Sequence, residues 1–241
     1  MNLKTFIIGL LVSFGLPWFL VLAIPYSVMN NLKSPAYDEE ADGSEGVYEV
    51  KRAGSVAQGS TIYGQEGCYY CHSQLIRPTY AGNDMWRGDW AGLRKNADHG
   101  DTRRETNEFD FAGEKVAHVG ITRVGPDLSN FGRRLETYLK ADPEFTAEEW
   151  VFVHLYNPRG KRGLFINSVC PSKPGLFKEV DARGAQGDAL PVAAPEGRAI
   201  VPTERAKALA SYLISLKKDN LDNPVPAAMN YGAGDSSKEE K

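Results

Sequence analysis

The pattern of apolar and polar residues divides the chain into distinct segments. Residues 6–24 carry no charge and are almost all apolar, a run long enough to cross a hydrocarbon core of about 30 Å at a rise of about 1.5 Å per residue. No convincing cleavage site follows the run, so we favour an uncleaved transmembrane anchor over residues 1–29 above a removable secretion signal. Lys4 precedes the run and mainly acidic residues follow it, which predicts a cytoplasmic amino terminus and an external domain.

The rest of the chain alternates between polar stretches and segments of helical spacing. Residues 30–53 are polar and acidic, which predicts a tether with little apolar surface to bury. Apolar residues recur at helical spacing in three later segments, residues 57–66, 146–156 and 203–217. The second of these begins with Thr146 and Glu149 in capping-box positions. We therefore predict a mainly α domain over residues 54–219 and a disordered tail over residues 220–241.

One polar stretch inside the domain is too long for an ordinary loop. This polar insertion, residues 83–118, is rich in Gly, Asp, Arg and Asn, and it predicts either a functional insertion or a packing surface for another subunit. The whole chain has 241 residues and a formal net charge of −3, without a basic stripe or a phosphate-cradling glycine loop. Nucleic acid is therefore not an expected partner.

The most specific chemical signal is the C-x-x-C-H pentapeptide that begins at Cys68. Two thiols at this spacing reach the two vinyl groups of one haem, and the adjacent His72 then lies under the iron as its proximal ligand. A zinc half-site would need two further ligands, whereas Cys170 is the single remaining cysteine. A thioredoxin-like redox pair would need a βαβ setting, whereas the flanks predict a short helix and a loop. We predict one covalently bound haem c, held by Cys68 and Cys71.

The residues around this motif resemble a known family. The string GSTIYGQEGCYYCHSQLIRP, residues 59–78, is similar to the haem segment of the membrane-anchored mono-haem subunit (subunit II, the FixO/CcoO family) of cbb3-type cytochrome c oxidases. The strings GPDL from Gly125 and NPR from Asn157 are similar to later segments of that family. The resemblance continues in pieces to Phe177, is weak in the polar insertion and is absent over residues 184–197.

This resemblance implies a fold and a function. The fold would be a single transmembrane helix followed by a class I cytochrome c-like helical domain with long loop insertions. The protein would relay single electrons on the periplasmic face of the bacterial inner membrane, as a non-catalytic subunit of a cbb3-type oxidase or a related respiratory complex. Its partners would be the oxidase catalytic subunit, other cytochrome c subunits or donors, and membrane lipid. A haem-based redox or gas sensor and a stand-alone anchored electron donor remain as alternatives.

Several further residues are candidates for holding the haem. Pro126 lacks an N–H, so its carbonyl or a neighbour's can accept the second ring N–H of His72, although Pro126 is also explained as a turn residue. Arg77, Arg133 and Arg134 could bind haem propionates, for which a guanidinium fork is suited, although each could equally be a solvated surface residue.

The sixth iron ligand is the point at which the sequence departs from the family. The family has a methionine in an M-P-x-x-P-x-L-F context, and this chain has C-P-S-K-P-G-L-F from Cys170. We predict that Cys170 is the distal ligand, with a lowered reduction potential, or else that it fills the methionine volume without binding iron. Met85, His99 and His118 are alternative ligands, whereas His154 is predicted to be a core histidine.

Overall fold

This computed structural model describes residues 2–31, 53–87, 90–94, 100–111, 114–160, 167–185 and 187–219. Almost all of the predicted tether and the whole of the predicted tail therefore lie outside the described residues. The chain forms two compact units, Met1–Glu49 and Val50–Lys241. The described residues are mainly helical, which confirms the predicted helical class at that level.

The first unit contains one long helix, α1, over Leu3–Asn30. Its start is capped because the Asn2 side chain accepts the backbone N–H of Thr5 at 2.8 Å. The helix has 28 residues, and its most apolar stretch has a mean hydropathy of 2.5 with none of its residues buried. By length and composition this helix is able to span a membrane.

Two turns of α1 are wider than those of a regular helix. They lie over Leu11–Gly15 and Phe19–Ala23, and each turn comes shortly before a proline, Pro17 or Pro25. Proline has no N–H to donate and its ring collides with the carbonyl four residues earlier, so a wider turn before it relieves the collision without ending the helix.

The described part of the second unit has four α-helices. These are α2 over Gly54–Gln65, α3 over Phe131–Ala141, α4 over Ala147–Tyr156 and α5 over Glu204–Ile214. The predicted capping box of α4 is present, since Thr146 Oγ1 accepts the Glu149 N–H at 3.2 Å and Glu149 Oε2 accepts the Thr146 N–H at 2.8 Å. Helices α2, α4 and α5 lie where the apolar spacing predicts them, with ends shifted by a few residues.

The sequence did not predict α3. Its first five residues are buried, and they include Arg133 and Arg134. Two adjacent arginines interrupt an apolar stripe in the sequence, but in the fold both guanidinium groups have hydrogen-bond partners that permit burial.

A two-stranded antiparallel sheet is the other element absent from the sequence prediction. Strand β1, Phe177–Asp181, pairs with β2, Arg198–Pro202, in a register that sets Phe177 opposite Pro202. The sheet leads directly into α5, because Thr203 donates its backbone N–H to Leu176 O at 3.0 Å and its side chain caps the helix.

The described part of the polar insertion packs on the domain through polar contacts. Asn130 donates to the carbonyl oxygen of Trp90 at 2.7 Å, and Thr102 donates to Asp219 at 3.1 Å. Arg104 and Asp110 form an ion pair in which both side chains are almost fully buried. Paired groups of this kind allow charged residues to lie in an interior, which explains why a polar sequence is packed here.

The core is centred on the crossing of α2 and α5. Tyr63 of α2 and Tyr212 of α5 are both fully buried, with ring centroids 5.5 Å apart. A Cβ atom on Gly59 would overlap the carbonyl oxygen of Ala208 and lie 2.6 Å from the Cβ of Tyr212. The two helices can therefore approach this closely because residue 59 has no side chain.

We expect Gly59→Ala to lower the free energy of unfolding by about 1–3 kcal/mol, because the added methyl group forces the two helices apart. Gly54→Ala is the matched control, since a Cβ at Gly54 meets nothing within 4 Å. That control should be neutral or stabilising by about 0.5–1 kcal/mol, as alanine favours the helix. Urea unfolding of the detergent-solubilised chain measures both variants, and equal stabilities would contradict the close crossing.

Candidate cofactor site

The C-x-x-C-H motif forms one compact turn after α2. Gly67 has a φ of 72°, a left-handed conformation that glycine adopts without strain, and it directs the chain into a turn of 3-10 helix over Cys68–Tyr70. The N–H groups of Cys71 and His72 both donate to the carbonyl oxygen of Cys68, at 3.1 and 3.0 Å. The two thiols and the imidazole are therefore presented by the same turn.

A second segment, residues 119–128, lies alongside this turn and fixes it. Four backbone hydrogen bonds join the two segments: Ile121 N to Tyr69 O, Gln74 N to Val119 O, Gly125 N to Cys71 O and Leu128 N to Ser73 O, all between 2.8 and 3.0 Å. The buried carboxylate of Asp127 adds two more, accepting from Ser73 Oγ at 2.6 Å and from the Leu75 N–H at 2.8 Å. Sequence reasoning did not single out Asp127, although the GPDL string contains it.

The imidazole of His72 is held in one orientation. Its Nδ1 lies 2.8 Å from the carbonyl oxygen of Pro126, and because a carbonyl can only accept, Nδ1 carries the proton. Nε2 is then left with its lone pair. A Cβ on Gly125 would overlap the ring, so the backbone lies flat against the imidazole. The predicted contact between His72 and Pro126 is present.

These residues border a cavity of about 490 Å³. The cavity is lined mainly by apolar and aromatic side chains of α3, α4 and α5, and Cys68, Cys71, His72 and Cys170 all lie on its wall. Residues that are about a hundred positions apart in the sequence are thus brought to one space. The volume is within the usual range of about 300–1,000 Å³ for small-molecule and cofactor sites.

The electrostatic environment favours the neutral forms of His72, Cys68 and Cys170. Burial lowers the pKa of His72, an effect that the Pro126 carbonyl partly opposes. Burial also raises the pKa of Cys68, to about 12. The pKa of Cys170 is raised as well, by burial and by the neighbouring Cys71, against the opposing charges of Lys173 and Arg159.

The three candidate arginines have different positions. Arg134 lines the cavity, and two of its nitrogens donate to the carbonyl oxygen of Asp127 at 3.0 Å. Arg133 is not among the lining residues and pairs with Asp219 at 3.1 Å. Arg77 is not among them either and pairs with Asp84 at 2.9 Å. Both of these guanidinium groups are directed to carboxylates outside the cavity lining, so the structure gives no support for a role of Arg77 or Arg133 in binding a ligand there.

The alternative candidates for the sixth ligand lie in different parts of the structure. His118 donates from Nε2 to the carbonyl oxygen of Ser60 at 2.9 Å and does not line the cavity, nor does Met85. His99 lies outside the described residues. His154 does line the cavity and stacks on Trp150 with ring centroids 5.4 Å apart. The signal for His154 is its spacing, since Trp150 and His154 are four residues apart on α4 and so share a face.

The carboxylate of Asp84 links two segments that lead to the site. Its carboxylate is fully buried and accepts from the Arg77 N–H and Nη2 at 2.9 Å and from Arg123 Nη1 at 2.6 Å. Arg123 also donates to Leu75 O at 2.5 Å. Asp84 therefore joins Arg77, in the segment that follows His72, to Arg123, in the segment that leads to Gly125.

Comparison with known proteins gives no relative: no protein-family model and no curated protein matches this chain.

We expect Asp84→Asn to lower the free energy of unfolding by about 1–3 kcal/mol near neutral pH, because charged donors lose their carboxylate. Burial alone would raise the pKa of Asp84, but the hydrogen bonds from Arg77 and Arg123 outweigh it and hold the pKa well below its usual value. Because the pKa of Asp84 is lower in the folded chain than its unfolded value of about 3.9, the ionised carboxylate stabilises the fold above about pH 3.9. This stabilisation is lost progressively as the pH falls from there towards the folded-state pKa.

The difference between wild type and Asp84→Asn should therefore shrink in acid. Urea unfolding near neutral pH and at about pH 3 measures this difference on both sides of the unfolded pKa. Asp188→Asn is the control, because Asp188 pairs with Lys207 at 3.3 Å on an exposed surface and such pairs contribute little. A gap that is constant with pH would contradict the role of the Asp84 carboxylate.

Proposed function

We propose that this chain is a membrane-anchored mono-haem cytochrome c that relays single electrons. The observation that carries the proposal is the arrangement of Cys68, Cys71 and His72 on one turn, with the imidazole held by the Pro126 carbonyl at 2.8 Å and with Cys170 on the wall of the same cavity. Zinc is less well supported, because no three His, Cys, Asp or Glu side chains among the described residues are arranged so that they could hold a metal ion together.

The residues present fit a haem. The lining is mainly apolar, as a porphyrin ring requires, and Arg134 supplies one buried cation for an acidic substituent. Each thiol of the motif can add across one vinyl group, so that sulfur bonds to one carbon and hydrogen to the other. The Nε2 lone pair of His72 is free to bind iron, because Nδ1 holds its proton against the Pro126 carbonyl.

When bound, haem would supply an iron that accepts and releases one electron at a time. The chain's own residues then determine the properties of that iron. The Pro126 carbonyl, by accepting from Nδ1, raises the donor strength of the imidazole. The wall of the cavity is mainly apolar, so charges beside it are weakly screened and the nearest ligands and dipoles would have a large effect on the reduction potential. Cys170 is the residue that would supply a second protein ligand to that iron.

The relay function rests on these residues together with α1. We propose that α1 anchors the chain in the bacterial inner membrane and that the class I cytochrome c-like domain works in the periplasm, as a non-catalytic subunit of a cbb3-type oxidase or a related respiratory complex. The catalytic subunit, other cytochrome c subunits or donors, and membrane lipid would be its partners. Purification together with a multi-spanning haem protein would distinguish this subunit from a stand-alone donor or a sensor.

The first test is of covalent attachment. After acid–acetone extraction, the denatured wild-type chain should keep its haem, because thioether bonds survive unfolding. The double variant Cys68→Ala/Cys71→Ala should lose it, and Cys170→Ala, which leaves both attachment thiols in place, should keep it. The pyridine haemochrome spectrum of the pellet is the measurement. Removal of all haem from the wild-type chain would contradict the proposal.

The second test is of Cys170 as a ligand. Burial raises the pKa of the free Cys170 thiol, but the positive charge of a ferric iron would lower it, so we expect a low-spin ferric haem with histidine and thiolate ligands in the wild type. Cys170→Met should raise the reduction potential by roughly tens to hundreds of millivolts, within the span of about 0.8 V that axial ligands control. Cys170→Ser, which keeps the size of the side chain, should lose the thiolate signature.

Electron paramagnetic resonance and a redox titration measure the two effects. An unchanged spectrum and potential in Cys170→Met would mean that Cys170 only fills space, and the search would turn to Met85, His99 and His118. Displacement of Cys170 by nitric oxide in the wild type would instead favour the sensor function.

A further inference from the structure

The turn after α4 gives Arg159 a defined place. Helix α4 ends at Tyr156, and the Asn157 side chain then accepts the backbone N–H of Arg159 at 3.3 Å, while Asn157 O accepts the Gly160 N–H at 3.1 Å. Between them Pro158 is buried and has a fixed φ. The backbone of Arg159 is therefore fixed relative to α4 although its side chain is exposed.

The Arg159 side chain reaches back to the segment that contains Cys170. Its Nη1 donates to the carbonyl oxygen of Ser168 at 2.8 Å and to that of Cys170 at 2.9 Å. The backbone N–H of Cys170 also donates to Ser168 Oγ at 3.2 Å. One charged nitrogen thus fixes the carbonyls on both sides of Val169, and hydrogen bonds from a charged donor are the stronger kind.

Among the described residues, apolar packing does little to hold this part of the chain. Val169 is 69 % exposed, and the Ser168 hydroxyl accepts the Cys170 N–H within the same segment. In the part of the chain that the structure describes, the hydrogen bonds of Arg159 are therefore the main contacts that fix Cys170 at this end.

The other end of the segment is held separately. Lys173 donates its backbone N–H to Leu155 O at 2.8 Å and its Nζ to Glu66 O at 2.7 Å. These bonds connect it to α4 and to the turn that precedes Cys68. Because Lys173 keeps its own contacts, loss of the Arg159 bonds would loosen residues 168–170 without releasing the whole segment.

We propose that Arg159 is a positioning residue that holds residue 170 at the cavity wall and so controls access to the sixth coordination position. This rests on the proposed function, since it gives Cys170 a role in binding iron. The positioning acts through the two carbonyl contacts of Nη1 and requires the length of the arginine side chain. A lysine at the same place keeps the charge, but its side chain is one bond shorter, so its nitrogen cannot lie where Nη1 contacts both carbonyls.

The test compares three variants of the full chain with haem attached. Arg159→Gln removes charge and geometry, and Arg159→Lys removes the geometry alone. Arg183→Gln is the matched control, because Arg183 has a 93 % exposed side chain and pairs only locally with Asp181 at 3.3 Å. We measure the rate at which imidazole binds the ferric haem in stopped flow, together with the reduction potential.

We expect imidazole to bind about tenfold faster in both Arg159 variants than in wild type, from the loss of hydrogen bonds to a charged donor. Arg183→Gln should behave as wild type. Binding rates that are unchanged in both Arg159 variants would overturn the proposal. It would also be overturned if only Arg159→Gln altered the potential while Arg159→Lys matched the wild type, since charge alone would then explain the effect.

A second measurement follows the Cys170 thiol itself and not the haem. With Cys68 and Cys71 consumed by thioether bonds, Cys170 is the one thiol of the chain left for alkylation by a maleimide. The alkylation rate should rise in both Arg159 variants, and an unchanged rate counts against positioning. If the wild-type chain instead shows three reactive thiols and no haem, the proposed function itself fails, whatever the Arg159 variants do.

Discussion

The candidate site depends on one hydrogen bond, that between the imidazole of His72 and the carbonyl of Pro126. The two residues are far apart in the sequence, and their contact requires residues 119–128 to lie alongside the C-x-x-C-H turn with Gly125 flat against the ring. Gly125 permits this approach because a side chain there would occupy the space of the imidazole. Four backbone bonds and the carboxylate of Asp127 then fix the pair of segments. The orientation of the proposed iron ligand is therefore set by backbone geometry on both sides.

The sequence predicted the parts of this fold that are determined locally. Helix α4 follows from its capping box and its apolar face. Helix α3 and the two strands were missed for a common reason. The buried arginines of α3 become compatible with an interior only through partners elsewhere in the chain, such as Asp219, and the strands are short and contribute few buried side chains.

The positions of Arg77 and Arg133 illustrate the same limit at the site. The chemistry of a guanidinium group suits a propionate, but it suits a carboxylate of the protein equally well, and a sequence does not say which of the two lies closer. In the fold Asp84 and Asp219 are the nearer partners. Arg134, beside Arg133 in the sequence, is the arginine that reaches the cavity, because adjacent residues on a helix point about 100° apart.

The crossing of α2 and α5 has a consequence for how the domain is made. These are the first and last helices of the second unit among the described residues, and the hydrogen bond between Gln74 and Tyr212 joins positions 138 residues apart. Because the chain is synthesised from its amino terminus, this core cannot form until α5 has also been synthesised. Contacts of such long sequence separation form slowly. The cavity beside the Cys68 turn is lined in part by Leu213 of α5, so it is complete only once the last helix of the unit has been made.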